Sequence, residues 1–182
     1  YYVDLETNGC LTRQNVKVLA SPIPVITNIE ISNNTATLTV NGGVPPYQYS
    51  VDGTNYQNSN VFSNLPRGEN TFYVKDSYEC VPVIMDITVP NLVNAITPNN
   101  DGINDFVDYS ALAYKKNLVF TIYDRYGNKI HVADKNNLYR WDGTMNGGKK
   151  VVTGTYWYSI TWNQPTGNAE VQYSGWIMVK NR

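Results

Sequence analysis

The stretch GTYWYSITWNQPTGNAEVQYSGWIMV, residues 154–179, decides the fold class, because its apolar side chains recur at every second position. The first arm carries Tyr156, Tyr158, Ile160 and Trp162, and the second carries Val171, Tyr173, Gly175, Ile177 and Val179. Such alternation is typical of half-buried β-strands. A glycine in the middle of a strand leaves room for a neighbouring aromatic ring or a bulge. We therefore expect a β-hairpin with one face in a core, closed by the polar loop at 163–168.

The preceding residues continue this pattern. Leu118, Phe120 and Ile122 alternate with Val119, Thr121 and Tyr123, which gives one strongly apolar face. A turn ending near Gly127 returns the chain into residues 129–132. Further Gly-containing turns follow before the last hairpin. Residues 91–182 are therefore predicted to form an antiparallel β-sandwich.

Residues 22–90 are predicted to form a complete immunoglobulin-like module. Ala36, Leu38 and Val40 share one face of a strand, and short strands follow at intervals set by turns rich in Gly, Pro and Asp. Regularly spaced short strands of this kind are typical of an immunoglobulin-like sandwich.

Residues 1–21 echo residues 73–90, because each segment shows a strand, a tight turn ending in cysteine and a strand stopped by proline. Reuse of one unit is the signature of an array, so we expect 1–21 to be the closing strands of a truncated upstream module; chance similarity of two hairpins is the alternative. Cys10 and Cys80 could join neighbouring modules, pair elsewhere or stay free, and no bridge is predicted. The predicted fold class is all-β, with tandem antiparallel β-sandwiches.

Charge and hydropathy exclude several classes of function. The chain has 14 basic and 15 acidic residues and no basic cluster, so no nucleic-acid partner is expected. The longest apolar runs, such as 176–179, are far shorter than the ~20 residues of a membrane-spanning helix, so no transmembrane segment is expected. The chain starts without a Met or a signal peptide, and we interpret it as the C-terminal part of a longer protein.

The few reactive side chains argue against an enzyme. Cys10 and Cys80 are the only thiols and His131 is the only imidazole. Because His131 alternates with Ile130 and Val132, we expect it on the solvated face of a strand. The spacings of a zinc site and of the common nucleotide-binding and hydrolase motifs are also lacking.

Four ordered motifs carry a resemblance to a known family. Residues 97–106 are TPNNDGINDF, residues 122–127 are IYDRYG, residues 141–144 are WDGT and residues 154–158 are GTYWY. With the closing residues 175–182, they resemble the gliding motility-associated C-terminal domain, the type B C-terminal secretion signal of the Bacteroidetes type IX secretion system. Asn100 replaces the usual Gly, Tyr126 replaces the usual Trp, and 152–153 replace a common Pro-Asp.

The resemblance implies a folded export signal that performs no reaction. It implies recognition by outer-membrane components of the type IX translocon and by an SprF-like outer-membrane protein of the PorP family, with delivery through the periplasm to the cell surface or the medium. The motif residues that carry this expectation are Pro98, Asn99, Asn100, Asp101, Gly102, Asn104, Asp105, Tyr123, Arg125, Gly127, Trp141, Asp142, Gly143, Gly154, Tyr156, Tyr158 and Gly175. The run GGVPPYQYSVDG at 42–53 resembles repeats of large gliding-type surface adhesins, which implies an adhesin-like protein.

No cofactor is expected, but one metal site is considered. Asn99, Asp101 and Asp105 have a spacing close to that of short calcium loops, and oxygen ligands suit calcium. The alternative is an Asx-type turn in which Asn99, Asp101 and Asn104 bond to their own backbone. Three oxygens fall short of the 6–8 ligands that calcium takes, which favours the turn.

The alternative function is carbohydrate binding by a secreted β-sandwich. Trp162 shares the apolar row and is expected in the core, whereas Trp157 and Trp176 point the other way and are expected to pair across the hairpin. Two neighbouring exposed tryptophans would form a binding patch, whereas a pair covered by an adjacent loop would be structural.

Two docking modes are open for the export signal. Either the edge of the last hairpin, about residues 156–179, is exposed and adds to strands of a partner, or loop tips insert into a barrel lumen.

Overall fold

The computed structural model describes residues 1–17, 20, 22–78, 81–165 and 167–181, and within them it confirms the predicted all-β, sandwich-like fold. The strands are β1 Tyr2–Thr7, β2 Cys10–Asn15, β3 Val25–Ser32, β4 Thr35–Asn41, β5 Gln48–Ser50, β6 Val61–Phe62, β7 Gly68–Lys75, β8 Val83–Val89, β9 Ala95–Ile96, β10 Val107–Asp108, β11 Lys116–Tyr123, β12 Lys129–Ala133, β13 Arg140–Trp141, β14 Gly154–Asn163 and β15 Glu170–Val179. Two short 3₁₀ helices cover Ser110–Leu112 and Lys135–Asn137.

One large sheet runs through most of the chain. Its order is β12-β11-β14-β15-β3-β4-β6, and β9 also pairs with β15. The predicted hairpin is present as β14 and β15, which pair antiparallel from Gly154 opposite Val179 to Asn163 opposite Glu170. β15 runs parallel to β3 and to β9, while the other neighbours in the large sheet are antiparallel.

The β15–β3 pairing joins the segments on either side of residue 90. Residues 170–174 of β15 lie in register with residues 28–32 of β3. Residues 178 and 179 pair on the same side with 95 and 96 of β9. The hairpin edge that was predicted to be open for strand addition is therefore covered at both ends, and the prediction of a free edge is wrong. The division into segments 1–21, 22–90 and 91–182 stays a prediction.

A second layer covers the inner face of the large sheet. The sheet β5-β7-β8 contributes Phe72, whose ring centroid lies 5.4 Å from that of Phe62. Over the other half, β10 pairs with β13, and the ring centroid of Tyr109 lies 4.0 Å from that of Phe120. The buried apolar residues of both halves form one hydrophobic cluster. The alternating positions of β14 and β15 enter this cluster because successive side chains on a strand point to opposite faces.

The N-terminal hairpin is different. β1 and β2 pair antiparallel, and every residue of 1–17 is exposed. Arg13 and Asp4 form an ion pair at 2.7 Å across the two strands. Cys10 is exposed, and Cys80 lies outside the described residues. The interpretation of 1–21 as part of an upstream module remains a prediction.

No helix in the described ranges is long and apolar enough to cross a membrane.

Candidate recognition surface

The loop of the first motif is organised by one carboxylate. Asp105 accepts hydrogen bonds from the backbone N–H groups of Asn99, Asn100 and Gly102 at 3.0, 2.7 and 2.8 Å. Asn100 has φ +65°, a left-handed conformation that Asn adopts more readily than most residues, so the replacement of the usual Gly is accommodated. Pro98 is buried and Asn104 also has a positive φ. The motif therefore encodes a fixed loop shape.

This geometry favours the Asx-turn alternative over a calcium site. The oxygens of Asp105 are engaged by backbone N–H groups, and Asp101 accepts from Asn99 Nδ2 at 2.7 Å and from the backbone N–H of Ile103 at 2.9 Å. These bonds already use part of the acceptor capacity that calcium would need from the two carboxylates. Among the residues that the structure describes, no group of three or more His, Cys, Asp or Glu side chains is arranged to hold a metal ion.

The second motif forms the turn after β11. The side chain of Asp124 accepts from the backbone N–H groups of Tyr126 and Asn128 at 2.8 and 2.9 Å and from Asn128 Nδ2 at 2.9 Å. The hydrogen bond from the Asn128 side chain is the main reason that the pKa of Asp124 lies below its ordinary value. Gly127 takes φ +80°. The turn leaves the side chain of Arg125 exposed.

The third motif connects the first one to the last strand. Trp141 is buried and donates from Nε1 to the backbone oxygen of Thr144 at 2.8 Å, and Asp142 accepts from the Thr144 hydroxyl at 2.6 Å. A Cβ at Gly143 would lie 3.3 Å from Pro98 Cγ and 3.5 Å from Val179 Cγ1. Gly143 is therefore required for close contact between three separate parts of the chain.

The fourth motif packs Tyr158 over Gly175. Tyr158 stacks on Tyr173 with ring centroids 6.0 Å apart, and its ring covers Gly175, where a Cβ would lie 2.7 Å from Tyr158 Cζ. Gly175 thus leaves space for an aromatic ring, one of its two predicted roles. Burial raises the pKa of Tyr158 well above its ordinary value. Tyr156 is also buried and donates its hydroxyl to the backbone oxygen of Val152 at 2.8 Å.

The second and fourth motifs meet in one concavity, which we name the motif cleft. It has a volume of about 460 Å³ and is lined by Arg125 and Tyr126 of the turn, by Lys149 and Lys150, and by residues 152–157. The side chains of Arg125, Lys149 and Lys150 are exposed. The side chain of Tyr126 is 78% exposed at the rim.

The motif cleft carries a net positive charge. It contains three basic side chains, and its single acidic residue, Asp124, directs both oxygens to the turn. A concave surface of one sign attracts and orients a partner of the opposite sign. The lysines at 149 and 150 were missed in the sequence, where the only signal was a basic pair between a Gly turn and the GTYWY motif.

A row of aromatic side chains adjoins the motif cleft. Tyr123, Trp157 and Trp176 lie directly opposite one another on β11, β14 and β15. The two tryptophans lie opposite each other as predicted, and each is 45% exposed, which favours the binding patch over the loop-covered alternative. Trp162 is buried, as predicted.

The prediction for His131 is wrong. Both of its ring nitrogens are shielded from solvent, and its ring centroid lies 6.5 Å from that of Trp141. Burial lowers the pKa of His131, while the backbone of Arg140 and the carboxylates of Asp142 and Asp134 act in the opposite direction. His131 lies directly opposite Ile122 of β11, so it shares the core face of the sheet, where Trp141 lies near it. Its apolar neighbours Ile130 and Val132 indicate the other face, and a local pattern cannot show which face enters the core.

Comparison with known proteins gives one family and a few distant relatives. The model of the CHU_C type IX secretion signal domain matches residues 89–179, which is 91 of the 182 residues. C5a peptidase of Streptococcus pyogenes serotype M18 (strain MGAS8232) is 29% identical over 107 residues, covering 47% of this chain, and the serotype M3 (strain SSI-1) protein is 28% identical. The chain spans 9% of the length of these relatives.

A solved structure, dimeric latent PorU from Porphyromonas gingivalis, matches with a TM-score of 0.33 and 16% sequence identity. The match covers 89% of this chain and 20% of the PorU chain. The family assignment depends on the family match and on the motifs that it contains. The chain belongs to the CHU_C type IX secretion signal domain family, and its C-terminal half is a signal for export by the type IX machinery to the cell surface or the extracellular space.

Proposed function

We propose that the type IX machinery reads this signal as a folded surface and that the motif cleft is the docking site. The observation that carries the proposal is that Arg125 and Lys150, from separate segments, line one concavity with residues 154–157. The other motif residues, such as Asp105 and Gly143, act through the loop shapes and close packing that hold this surface in place. No catalytic group is needed for such a role.

The charge of the cleft specifies the chemistry of the partner. Arg125, Lys149 and Lys150 suit an acidic segment, since charge complementarity accelerates encounter and selects the partner. Tyr126 and Trp157 add aromatic surface at the rim, which is typical of interface anchors. We propose that an outer-membrane component of the translocon, with an SprF-like protein of the PorP family, presents this acidic segment.

The exported protein is proposed to be adhesin-like and of the gliding-motility type. The support is the resemblance of residues 42–53 to adhesin repeats and the echo between residues 1–21 and 73–90. In this proposal, one module ends at residues 1–21, a complete module occupies residues 22–90, and the signal occupies residues 91–182.

An export assay tests the docking site. The 182-residue chain is fused behind a periplasmic reporter with its own signal peptide, in a cell with working type IX export. Lys149→Glu with Lys150→Glu should leave the reporter in the periplasm. The matched control is Lys129→Glu with Lys135→Glu, which reverses two exposed lysines outside the cleft and should export normally. Normal export of the cleft variant, with both proteins folded, would contradict the proposal.

A further inference from the structure

The outer face of the large sheet carries ordered rows of side chains beyond the motif cleft. The aromatic row Tyr123, Trp157 and Trp176 crosses β11, β14 and β15. Two residues away along each strand, a row of hydroxyl side chains crosses five strands: Thr121, Ser159, Ser174, Ser32 and Thr35. The next row on β15, β3 and β4 is Gln172, Glu30 and Thr37.

Two hollows on this face form one trough. The first, about 230 Å³, is lined by Ser32, Asn33, Ser174 and the two tryptophans. The second, about 390 Å³, contains Glu30, Thr35, Thr37 and Gln172 and shares Ser32 and Ser174 with the first. The shared serines make the hollows continuous, and we name them together the sheet trough.

The sheet trough exists because of the parallel pairing. β3 pairs with β15 up to Ser174, and β9 pairs with β15 from Met178 onward. Among the described residues, 175–177 of β15 have no paired strand on that side, and the first hollow lies at this step. The trough spans β14, β15, β3 and β4, which is roughly 14 Å at the usual ~4.8 Å between strands.

The lining combines the two surfaces of a sugar. Indole rings offer broad apolar faces with a polar edge, onto which the C–H face of a sugar ring can stack. Hydroxyl, amide and carboxylate groups beside them can exchange hydrogen bonds with ring hydroxyls, and a few such groups in a concave site fix a ligand. Glu30 is exposed and negative, which disfavours an acidic ligand.

We propose that the sheet trough is a binding site for a neutral oligosaccharide, with Trp176 and Trp157 stacking on sugar rings and Ser32, Ser174 and Glu30 bonding to hydroxyls. This function differs from export recognition, since the basic residues Arg125, Lys149 and Lys150 line only the motif cleft. Trp157 lines both cavities, so variants that separate the two functions are placed at Trp176 and Glu30.

The test uses the purified 182-residue chain and a panel of neutral oligomers of glucose, mannose, galactose and N-acetylglucosamine, with binding followed by calorimetry and tryptophan fluorescence. At least one oligomer should bind saturably. Trp176→Ala should weaken binding by about tenfold or more, as expected when an anchoring aromatic is truncated. Trp176→Tyr should retain most affinity, and Glu30→Gln should weaken binding without changing the melting temperature.

Met178→Ala is the matched control, because Met178 is exposed on the same face of β15 but does not line the trough. It should bind normally. Three results would overturn the proposal: no binding of any neutral oligomer at millimolar concentration, binding that survives Trp176→Ala and Glu30→Gln, or Trp176-dependent self-association without sugar binding. Each is independent of the export assay, so the two proposals fail separately.

Discussion

Ile31 of β3 lies in parallel register beside Tyr173 of β15, and both side chains are buried. Tyr173 belongs to the segment that the family model matches, whereas Ile31 belongs to the preceding segment. The last strand of the export signal is therefore completed by residues that the signal itself does not contain. Export recognition by strand addition at this edge would first require β3 to leave.

Truncation should reveal this dependence. A chain of residues 91–182 lacks β3 and uncovers part of Val171 and Tyr173, and full burial of such side chains contributes ~1.5–3 kcal/mol each. We expect its melting temperature to lie roughly 10 °C or more below that of residues 22–182. Removal of 1–21 alone is the control and should change little, because residues 1–17 are exposed. Equal melting temperatures for 91–182 and 22–182 would show that β3 adds no stability.

Gly175→Ala should destabilise the hairpin. A Cβ at this position would lie 2.7 Å from Tyr158 Cζ, and forced overpacking typically costs ~1–3 kcal/mol. Gly154→Ala is the control, since the nearest atom to its Cβ is the Val152 backbone oxygen at 4.0 Å. Urea unfolding of both variants measures the free energies of unfolding. If the two substitutions have equal effects, the proposed role of Gly175 is incorrect.

Asp105→Ala should destabilise the motif loop without any role for calcium. The carboxylate accepts three backbone N–H bonds, and hydrogen bonds to charged groups contribute ~1.5–3 kcal/mol. Thermal unfolding of the unchanged chain should give the same melting temperature in millimolar calcium and in chelator. A melting temperature that is higher in calcium than in chelator, and that loses this difference in Asp105→Ala, would favour the metal site instead.

His131 should make stability depend on pH near neutrality. Because burial lowers its pKa in the folded state, the unfolded chain binds a proton first as the pH falls below ~6.5. Stability is therefore complete above the unfolded pKa and decreases as the pH falls toward the folded value. Carboxylates such as Asp124, whose pKa is also lowered, contribute only at more acidic pH. Urea titrations at pH 7, 6 and 5 give the free energy of unfolding at each pH. In His131→Gln this free energy should fall less between pH 7 and pH 5 than in the unchanged chain, and an equal fall would contradict the role of His131.

Much of the fold could be predicted because a strand has a period of two. Alternation identified the buried rows of β11, β14 and β15, including Phe120, Ile160 and Val171. It could not reveal the β15–β3 pairing, because the partners are far apart in sequence and a parallel ladder leaves no local turn signal. The burial of His131 was missed for a different reason: the register places it opposite Ile122 on the core face, whereas its apolar neighbours indicate the other face.

The candidate site was predicted in part. The family motifs identified Arg125 and Gly154, whereas Lys149 and Lys150 resemble any solvated basic pair until the fold places them beside Arg125. Several motif residues, such as Trp141 and Tyr158, are buried and support the surface instead of forming it.

Photo-crosslinking during export tests the docking site most directly. A photoreactive residue at Tyr126, 78% exposed in the motif cleft, is compared with one at Tyr114, which is 70% exposed and does not line the cleft. With passengers that still reach the cell surface, position 126 should crosslink to an outer-membrane component and position 114 should not. Export without a crosslink specific to position 126 would contradict recognition through the cleft.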